Sequence, residues 1–319
     1  MSDTVLSIRN LNLYFRSEGS RYQALFDINI SLRKGEFIGI IGESGSGKTQ
    51  TVMSILGLSP KNSRKEGEII FNNTNLMKLS EYELNKIRGN YISIALQDTS
   101  LSLNPYIRVI DQLIEPLVIH YGKSESDAKK SIIEILDILR IHDAKNVVSK
   151  YPYEFSGGQR QRFLIAMALS CKPNVFIADE LTTSLDPETQ LCVLNYLDEL
   201  KKTNNMSILF VSHDLRALSK FSDKIVVMYC GHIVEEAETK EFFSNTKHPY
   251  SRGLINSTPR IEDKGHILKT IPGEIPQLNK LTKGCPFYNR CEYCIDKCLT
   301  EKPLLEEIDK HKVACFKKL

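Results

Sequence analysis

An apolar strand that runs straight into a glycine-rich loop and then a helix constrains this chain more than any other feature. Phe37-Ile38-Gly39-Ile40-Ile41 is a continuous apolar run, as a parallel strand buried on both faces requires. It leads into Gly42-Glu43-Ser44-Gly45-Ser46-Gly47-Lys48-Thr49, which has the form G-x-x-x-x-G-K-S/T, and a helix is predicted from Lys48 to about Leu58. The glycines let backbone N–H groups turn inward where side chains would block them, and the helix N-terminus adds a dipole that favours an anion. In such a cradle Lys48 neutralises β- and γ-phosphate charge and Thr49 offers a hydroxyl to Mg2+.

The rest of the chain supplies the layers that such a loop needs. Short strands are predicted at 5–8, 11–15 and 28–32, and strand-like runs return at 175–178, 208–211 and 225–228. A helix from about Pro187 to Lys202 separates the first two of these later strands. Residues 101–170 read as mostly helical, with Ile132, Ile133, Ile135, Leu136, Ile138 and Leu139 giving one broad apolar face. The alternation is that of a layered α/β protein. One strand ends in Ala178-Asp179-Glu180, two acids that suit a nucleotide site: Asp179 to hold Mg2+, usually through water, and Glu180 to orient or deprotonate the attacking water.

Bulk properties set the compartment. The 319 residues allow one large domain and a smaller one, and 41% hydrophobic with 25% charged residues is ordinary for a globular protein. A net charge of +3 is too small to argue for a nucleic-acid partner. No apolar run reaches the roughly 18–20 residues that span a bilayer, and Met1-Ser2-Asp3-Thr4 lacks the basic start of a signal peptide. The chain is therefore expected in the cytoplasm, with any membrane spanning left to another subunit.

A second loop decides between families. Phe155-Ser156-Gly157-Gly158-Gln159-Arg160-Gln161-Arg162 precedes a predicted amphipathic helix, Phe163 to Leu169, and offers a hydroxyl, glycine amides and a helix N-terminus to a second anion. This segment resembles the signature motif of ABC ATPases, whose common form begins with Leu where this chain has Phe155. The resemblance covers nearly all of residues 5–256. It implies a head-to-tail dimer in which each ATP lies between one chain's residues 42–49 and the other chain's Ser156, Gly157, Gly158 and Gln159. It also implies a P-loop nucleotide-binding domain over 1–256, with a RecA-like core, an antiparallel β subdomain and a helical subdomain at about 98–170.

Further roles follow from the same resemblance. Gln97 matches the Q-loop glutamine that senses Mg2+ and contacts the membrane partner's coupling helix. Ser184-Leu185-Asp186 matches the D-loop, and His213 matches the switch histidine that contacts the γ-phosphate. Phe15 is the candidate for stacking on adenine, with Tyr22 as the alternative. Leu181 and Thr99 stand where the family usually has proline; neither carries chemistry. Every catalytic position is occupied, which disfavours a non-catalytic regulator.

Other segments look like the ATP-binding subunits of oligopeptide, dipeptide and nickel importers. They include Ser100 to Pro105, His248-Pro249-Tyr250-Ser251-Arg252-Gly253-Leu254, Ile271-Pro272-Gly273 and Gly284 to Cys291. This resemblance spans essentially the whole chain and looks most like the longer, first-encoded subunit of a pair. It implies two permease subunits, a second, related ATPase subunit, and an extracytoplasmic binding protein, with the chain on the cytoplasmic face of the membrane. Peptide is the first choice of cargo, with nickel or another solute as the alternative. A soluble ABC ATPase working on nucleic acid or ribosomes is disfavoured by the single ATPase unit, the absence of a long coiled-coil insertion and the slight charge.

From about 257 the composition shifts to Pro, Gly, Cys and charge, which reads as a small Cys-rich domain over 257–319. Of eight cysteines, Cys171, Cys192 and Cys230 sit among apolar neighbours and read as small hydrophobes. Cys285, Cys291, Cys298 and Cys315 match the family's C-terminal motif, which favours a 4Fe–4S cluster. Four thiolates suit tetrahedral zinc as well, and free thiols or disulfides are the remaining alternative. Cys294 is extra to the pattern and makes a Cys291-x-x-Cys294 spacing that zinc also takes.

Overall fold

The computed structural model describes residues 3–17, 20–96, 102–141, 144, 149–182, 185–258, 270–277 and 283–319. Two long strands open the chain, β1 (Thr4–Ser17) and β2 (Ser20–Arg33), where the sequence predicts shorter pieces. The pieces join because Asn10 and Asp27 take left-handed backbone inside the strands (φ 48° and 51°). Side-chain amides hold those kinks: Asn29 Oδ1 accepts the Asn10 N–H at 2.9 Å, and Asn12 Oδ1 accepts the Asp27 N–H at 3.0 Å. Asn and Asp tolerate this conformation best among residues with a Cβ.

Next come β3 (Phe37–Ile41), α1 (Lys48–Ile55), β4 (Ser63–Phe71), β5 (Thr74–Asn75), α2 (Glu81–Ile87) and β6 (Ile92–Ala95). The helical stretch holds α3 (Val109–Tyr121), α4 (Glu125–Ile138) and α5 (Gly157–Leu169). It is followed by β7 (Val175–Asp179), α6 (Pro187–Asn204), β8 (Ser207–Val211), α7 (Leu215–Phe221), β9 (Lys224–Tyr229) and β10 (His232–Glu238). The chain closes with α8 (Thr239–Ser244), α9 (Pro249–Ser257), α10 (Asp296–Thr300), β11 (Glu306–Ile308) and β12 (His311–Val313).

These elements form two compact units. The first comprises residues 1–6, 32–37 and 71–211. In it β6, β7 and β8 run parallel, with Ile92 opposite Val175 and Val175 opposite Ser207. β7 and β8 are buried along their whole length, which explains their unbroken apolar sequence. α3, α4 and α5 pack on one another. The face predicted on α4 is narrower than expected: Ile132, Leu136 and Leu139 are buried, the spacing of one helical stripe, while Ile138 is 44% exposed.

The second unit comprises residues 7–31, 38–70 and 212–319. β3 and β9 pair in parallel, Ile38 opposite Lys224, and β10 returns antiparallel to β9. The tail joins this sheet, since β12 pairs antiparallel with β10 and β11 with β12. A buried acid anchors the junction. Glu235 on β10 accepts the Lys247 N–H at 2.7 Å and lies 2.7 Å from His311 Nε2, both side chains being almost wholly enclosed.

One buried histidine and one half-buried histidine in this unit are held neutral. His248 caps α9, its Nδ1 accepting the Tyr250 N–H at 3.1 Å; burial pushes its pKa down to about 4 against the pull of Glu235. His232 stacks on Phe26 with ring centroids 4.2 Å apart, and its Nδ1 donates to the Cys230 carbonyl at 2.9 Å. Burial, aided by Lys302, brings it to about 4 as well. In the unfolded chain both take up a proton near pH 6.5, whereas the folded protein refuses it until about pH 4. Stability is therefore whole above about pH 6.5 and drains as pH falls towards 4, by roughly 3 kcal/mol for each histidine at the lower end. Thermal melts from pH 7 to 5 should show a falling midpoint, and His248→Gln should make that fall shallower.

Candidate functional site

The phosphate loop lies in the second unit, between β3 and α1. Gly42, Gly45 and Gly47 all have positive φ, at 151°, 81° and 102°. Two of them are fixed by close neighbours as well. A Cβ on Gly42 would stand 2.2 Å from the Met228 carbonyl oxygen, and one on Gly47 would stand 2.8 Å from Leu25 Cδ2. Ser46 is buried and accepts the Gly231 N–H through its carbonyl at 2.9 Å, while Ser44, Gly45 and Thr49 face solvent. Lys48 Nζ donates to the Gly42 and Glu43 carbonyls at 2.8 and 2.9 Å. α1 ends at Ile55, short of the expected Leu58, because Gly57 adopts left-handed backbone and the Leu58 N–H closes back on the Met53 carbonyl.

Phe15 lines a cleft of about 440 Å³ with Tyr14, Arg16, Arg21, Lys61 and Arg64, and Tyr22 does not line it. The Arg21 guanidinium lies 3.9 Å over the Tyr14 ring. An aromatic beside four cations suits a purine attached to phosphates.

The acids lie in the first unit. Asp179 ends β7 and is buried; Glu180 follows with φ 50°, its N–H donating to the Val211 carbonyl at 2.9 Å. A left-handed glutamate is strained, and such strain concentrates where a side chain must be aimed. Leu181, in the place of the family's proline, is fully buried. His213 is exposed in the turn after β8, where Asp214 caps α7 through the Arg216 and Ala217 amides. Gln97, Thr99 and Ser184 lie outside the described residues. Asp186 caps α6, and the Thr189 hydroxyl and amide lower its pKa.

The second loop differs from expectation in one respect. The helix does not wait for Phe163 but starts at Gly157, so the motif itself forms the first turns of α5. Ser156 and Gln159 build a capping box: Ser156 Oγ accepts the Gln159 N–H at 3.3 Å, and Gln159 Oε1 accepts the Ser156 N–H at 3.0 Å. Phe155 packs edge-on against Phe163 at 4.9 Å, which is how a phenyl ring serves where the family commonly has leucine. A Cβ on Gly157 would meet nothing within 4 Å. The chain's own packing therefore does not demand glycine there, and a close-approaching ligand would.

The tail cysteines come together. Cys285, Cys291, Cys298 and Cys315 line one small cavity with His248 and Phe287, whereas Cys294 is exposed and outside it. No disulfide joins any of the eight cysteines; Cys171 and Cys230 are buried and Cys192 half-buried. Burial pushes Cys285 up to about 12 and Cys291 up to about 11, against the pull of backbone hydrogen bonds at Phe287 and Tyr293 and with a smaller push from the neighbouring sulfurs. The sulfur donor set fits a thiophilic metal or cluster. Among the described residues, though, no three His, Cys, Asp or Glu side chains stand in a metal-holding arrangement.

One constellation carries no role in the sequence reading. Arg290 forks onto Glu43 of the phosphate loop, its two terminal nitrogens 2.8 and 3.0 Å from the carboxylate oxygens. Tyr250, fully buried, accepts the Glu43 N–H at 2.8 Å. Burial works against the charge of Arg290, and the hydrogen bonds to Glu43 and Tyr229 outweigh it, raising its pKa. Both residues lie in segments that resemble the importer family, but their partner is remote in sequence.

Comparison with known proteins is consistent over the whole length. The family described as ABC transporter matches residues 25–183, and the family described as oligopeptide/dipeptide transporter, C-terminal region, matches residues 234–298. The oligopeptide transport ATP-binding protein OppD of Escherichia coli (strain K12) is 42% identical, covering 99% of this chain and 94% of that protein. The probable peptide ABC transporter ATP-binding protein y4tR of Sinorhizobium fredii is 40% identical, covering 99% and 96%. Among solved structures, the ATP-binding cassette MJ0796 in a dimeric post-hydrolysis state with ADP and Pi is similar, with a TM-score of 0.68 and 27% identity over 73% of this chain and 98% of that one.

The loop's geometry makes a direct prediction. Gly42→Ala must displace the Met228 carbonyl or abandon its φ, so it should lower the melting midpoint and weaken binding of a fluorescent ATP analogue by about tenfold or more.

Proposed function

The chain belongs to the ABC transporter family, and on that premise we propose that it is the ATP-hydrolysing, energy-coupling subunit of an importer for oligopeptides or dipeptides. The observation that carries this reading is the extent of the likeness: 42% identity to an oligopeptide transport subunit runs through the ATPase core and the tail alike. It is an ATPase whose turnover is coupled to transport. Among the described residues no helix is long and apolar enough to cross a membrane, which agrees with a peripheral subunit on the cytoplasmic face beneath two permeases. A second, related ATPase subunit as dimer partner and an extracytoplasmic binding protein complete the proposed assembly.

In the proposed arrangement a nucleotide-binding domain spans 1–256, with its helical subdomain at about 98–170, and a Cys-rich tail spans 257–319. In the proposed reaction the triphosphate rests on the amides of Gly42 to Thr49, and Lys48 exchanges its loop carbonyls for β- and γ-phosphate oxygens. Thr49 and Asp179 are hard oxygen donors of the kind Mg2+ takes, with Gln97 as a further ligand; the ion, when bound, neutralises charge on the β- and γ-phosphates. Glu180 orients or deprotonates the attacking water, His213 contacts the γ-phosphate, and Phe15 stacks on the adenine. Ser156, Gly157, Gly158 and Gln159 meet the γ-phosphate held by the facing ATPase subunit. Binding closes the pair and hydrolysis reopens it, each state being selected by these contacts.

Cys285, Cys291, Cys298 and Cys315 are proposed as the ligands of a 4Fe–4S cluster, with zinc as the alternative. Their sharing of one cavity supports this, and the exposure of Cys294 leaves it outside the set. Ligation would release the protons that burial keeps on Cys285, Cys291 and Cys315, so metal uptake should strengthen with rising pH.

Two experiments test these readings. In the reconstituted transporter, Glu180→Gln should cut ATP hydrolysis by about 100-fold or more while ATP binding persists, and peptide uptake should cease. Unchanged hydrolysis would remove Glu180 from its role. For the tail, protein purified without oxygen should carry iron and acid-labile sulfide, and Cys298→Ser should lose both. Zinc alone would replace the cluster, and neither metal would retire the ligand set.

A further inference from the structure

Glu43 is an awkward residue in an anion cradle. It places a carboxylate one position into a loop that is to receive a triphosphate, and like charges repel. Lys48, the loop's own cation, donates to the Gly42 and Glu43 carbonyls, and the Glu43 carboxylate takes its bidentate counter-charge from elsewhere in the chain. The tail supplies it. Arg290 grips both carboxylate oxygens of Glu43 from a side chain only 3% exposed. Its Nε donates to the Pro272 carbonyl at 2.7 Å, and the Tyr229 and Phe287 rings stand 5.8 and 5.9 Å from its guanidinium carbon. With its Nε tied down and aromatic rings alongside, the guanidinium is held in one orientation, which is the condition for a bidentate bond to fix a partner's position. The Tyr250 hydroxyl holds the Glu43 amide from the same side.

We propose that Arg290 is a positioning residue for ATP binding: by neutralising Glu43 and drawing it to the tail, it takes a repulsive charge off the phosphate loop and fixes that loop's first turn. This rests on the reading of residues 42–49 as the ATP site. Since Arg290 lies between Cys285 and Cys291, the folding of the cysteine-bearing segment is what delivers the guanidinium, and damage to the tail is felt at the nucleotide.

The test is the KM and kcat for ATP in the assembled transporter, with MgATP affinity of the purified chain measured alongside. Arg290→Ala should raise KM about tenfold with kcat changed less than about twofold. Arg290→Lys keeps the charge and should stay within about threefold of the parent. Adding Glu43→Gln to Arg290→Ala should recover most of the lost affinity, because the charge needing compensation is gone. A wild-type KM in Arg290→Ala, or a double variant as impaired as the single one, overturns the proposal. If Arg290→Ala does not fold, Arg290→Gln against Arg290→Lys makes the same comparison, and equal KM values overturn it. Lys48→Ala in the same assay separates the two readings. Loss of MgATP binding upholds the site, while retained binding overturns the site reading whatever Arg290 does.

Discussion

The Met228 carbonyl oxygen sits where a side chain on Gly42 would begin, 2.2 Å from an added Cβ. Met228 belongs to β9, the strand paired in parallel with β3, so the path of the phosphate loop is set by the neighbouring strand and not by the loop alone. A loop pressed so tightly against a carbonyl can curl its backbone only through residues that accept positive φ, and the glycines at 42, 45 and 47 provide them. That contact fixes the loop's entry, and the Leu25 side chain beside Gly47 and the Gly231 N–H on the Ser46 carbonyl fix the turn into α1.

The two proposed anion cradles are satisfied from within the chain, but in different ways. Lys48 donates to two carbonyls of its own loop, so a phosphate that takes those donors displaces neutral acceptors, and the gain there is the difference between a charged and a neutral acceptor. Ser156 uses its oxygen only as acceptor in the capping box, and its hydroxyl proton stays available to an anion. A serine that caps α5 therefore offers a phosphate a prepared donor at no cost to the helix, and the thirteen residues of α5 align their dipoles behind it.

Much of this was legible in the sequence, where physics is local. The run 37–41, the loop and α1 follow from apolar continuity and glycine spacing, and the strands ending at Asp179 and Val211 follow from unbroken apolar stretches. The start of α5 is written in the capping-box spacing of Ser156 and Gln159, although the two glycines between them favour loop. The continuity of β1 and β2 was not legible, because the kinks at Asn10 and Asp27 are held by asparagines on the facing strand. Nor was the separation of Cys294 from its neighbours, since Cys-x-x-Cys spacing says nothing about which sulfur faces a cavity. The pair formed by Glu43 and Arg290 joins residues 247 positions apart, and neither segment alone announces it.

That pair shows why a tail remote from the chemistry belongs to the same working unit. A carboxylate at position 43 on its own would oppose the cradle that surrounds it. It is tolerable because a buried guanidinium answers it, and the guanidinium is tolerable in its apolar pocket because the carboxylate answers it in turn. Each charge is the condition for the other, and removing either leaves an uncompensated ion beside the phosphate loop. The mutual dependence gives a physical reason for an ATPase loop and a cysteine-bearing tail to be carried on one chain: the tail's sheet edge, its aromatic pocket and its arginine complete the electrostatics that the loop leaves unfinished.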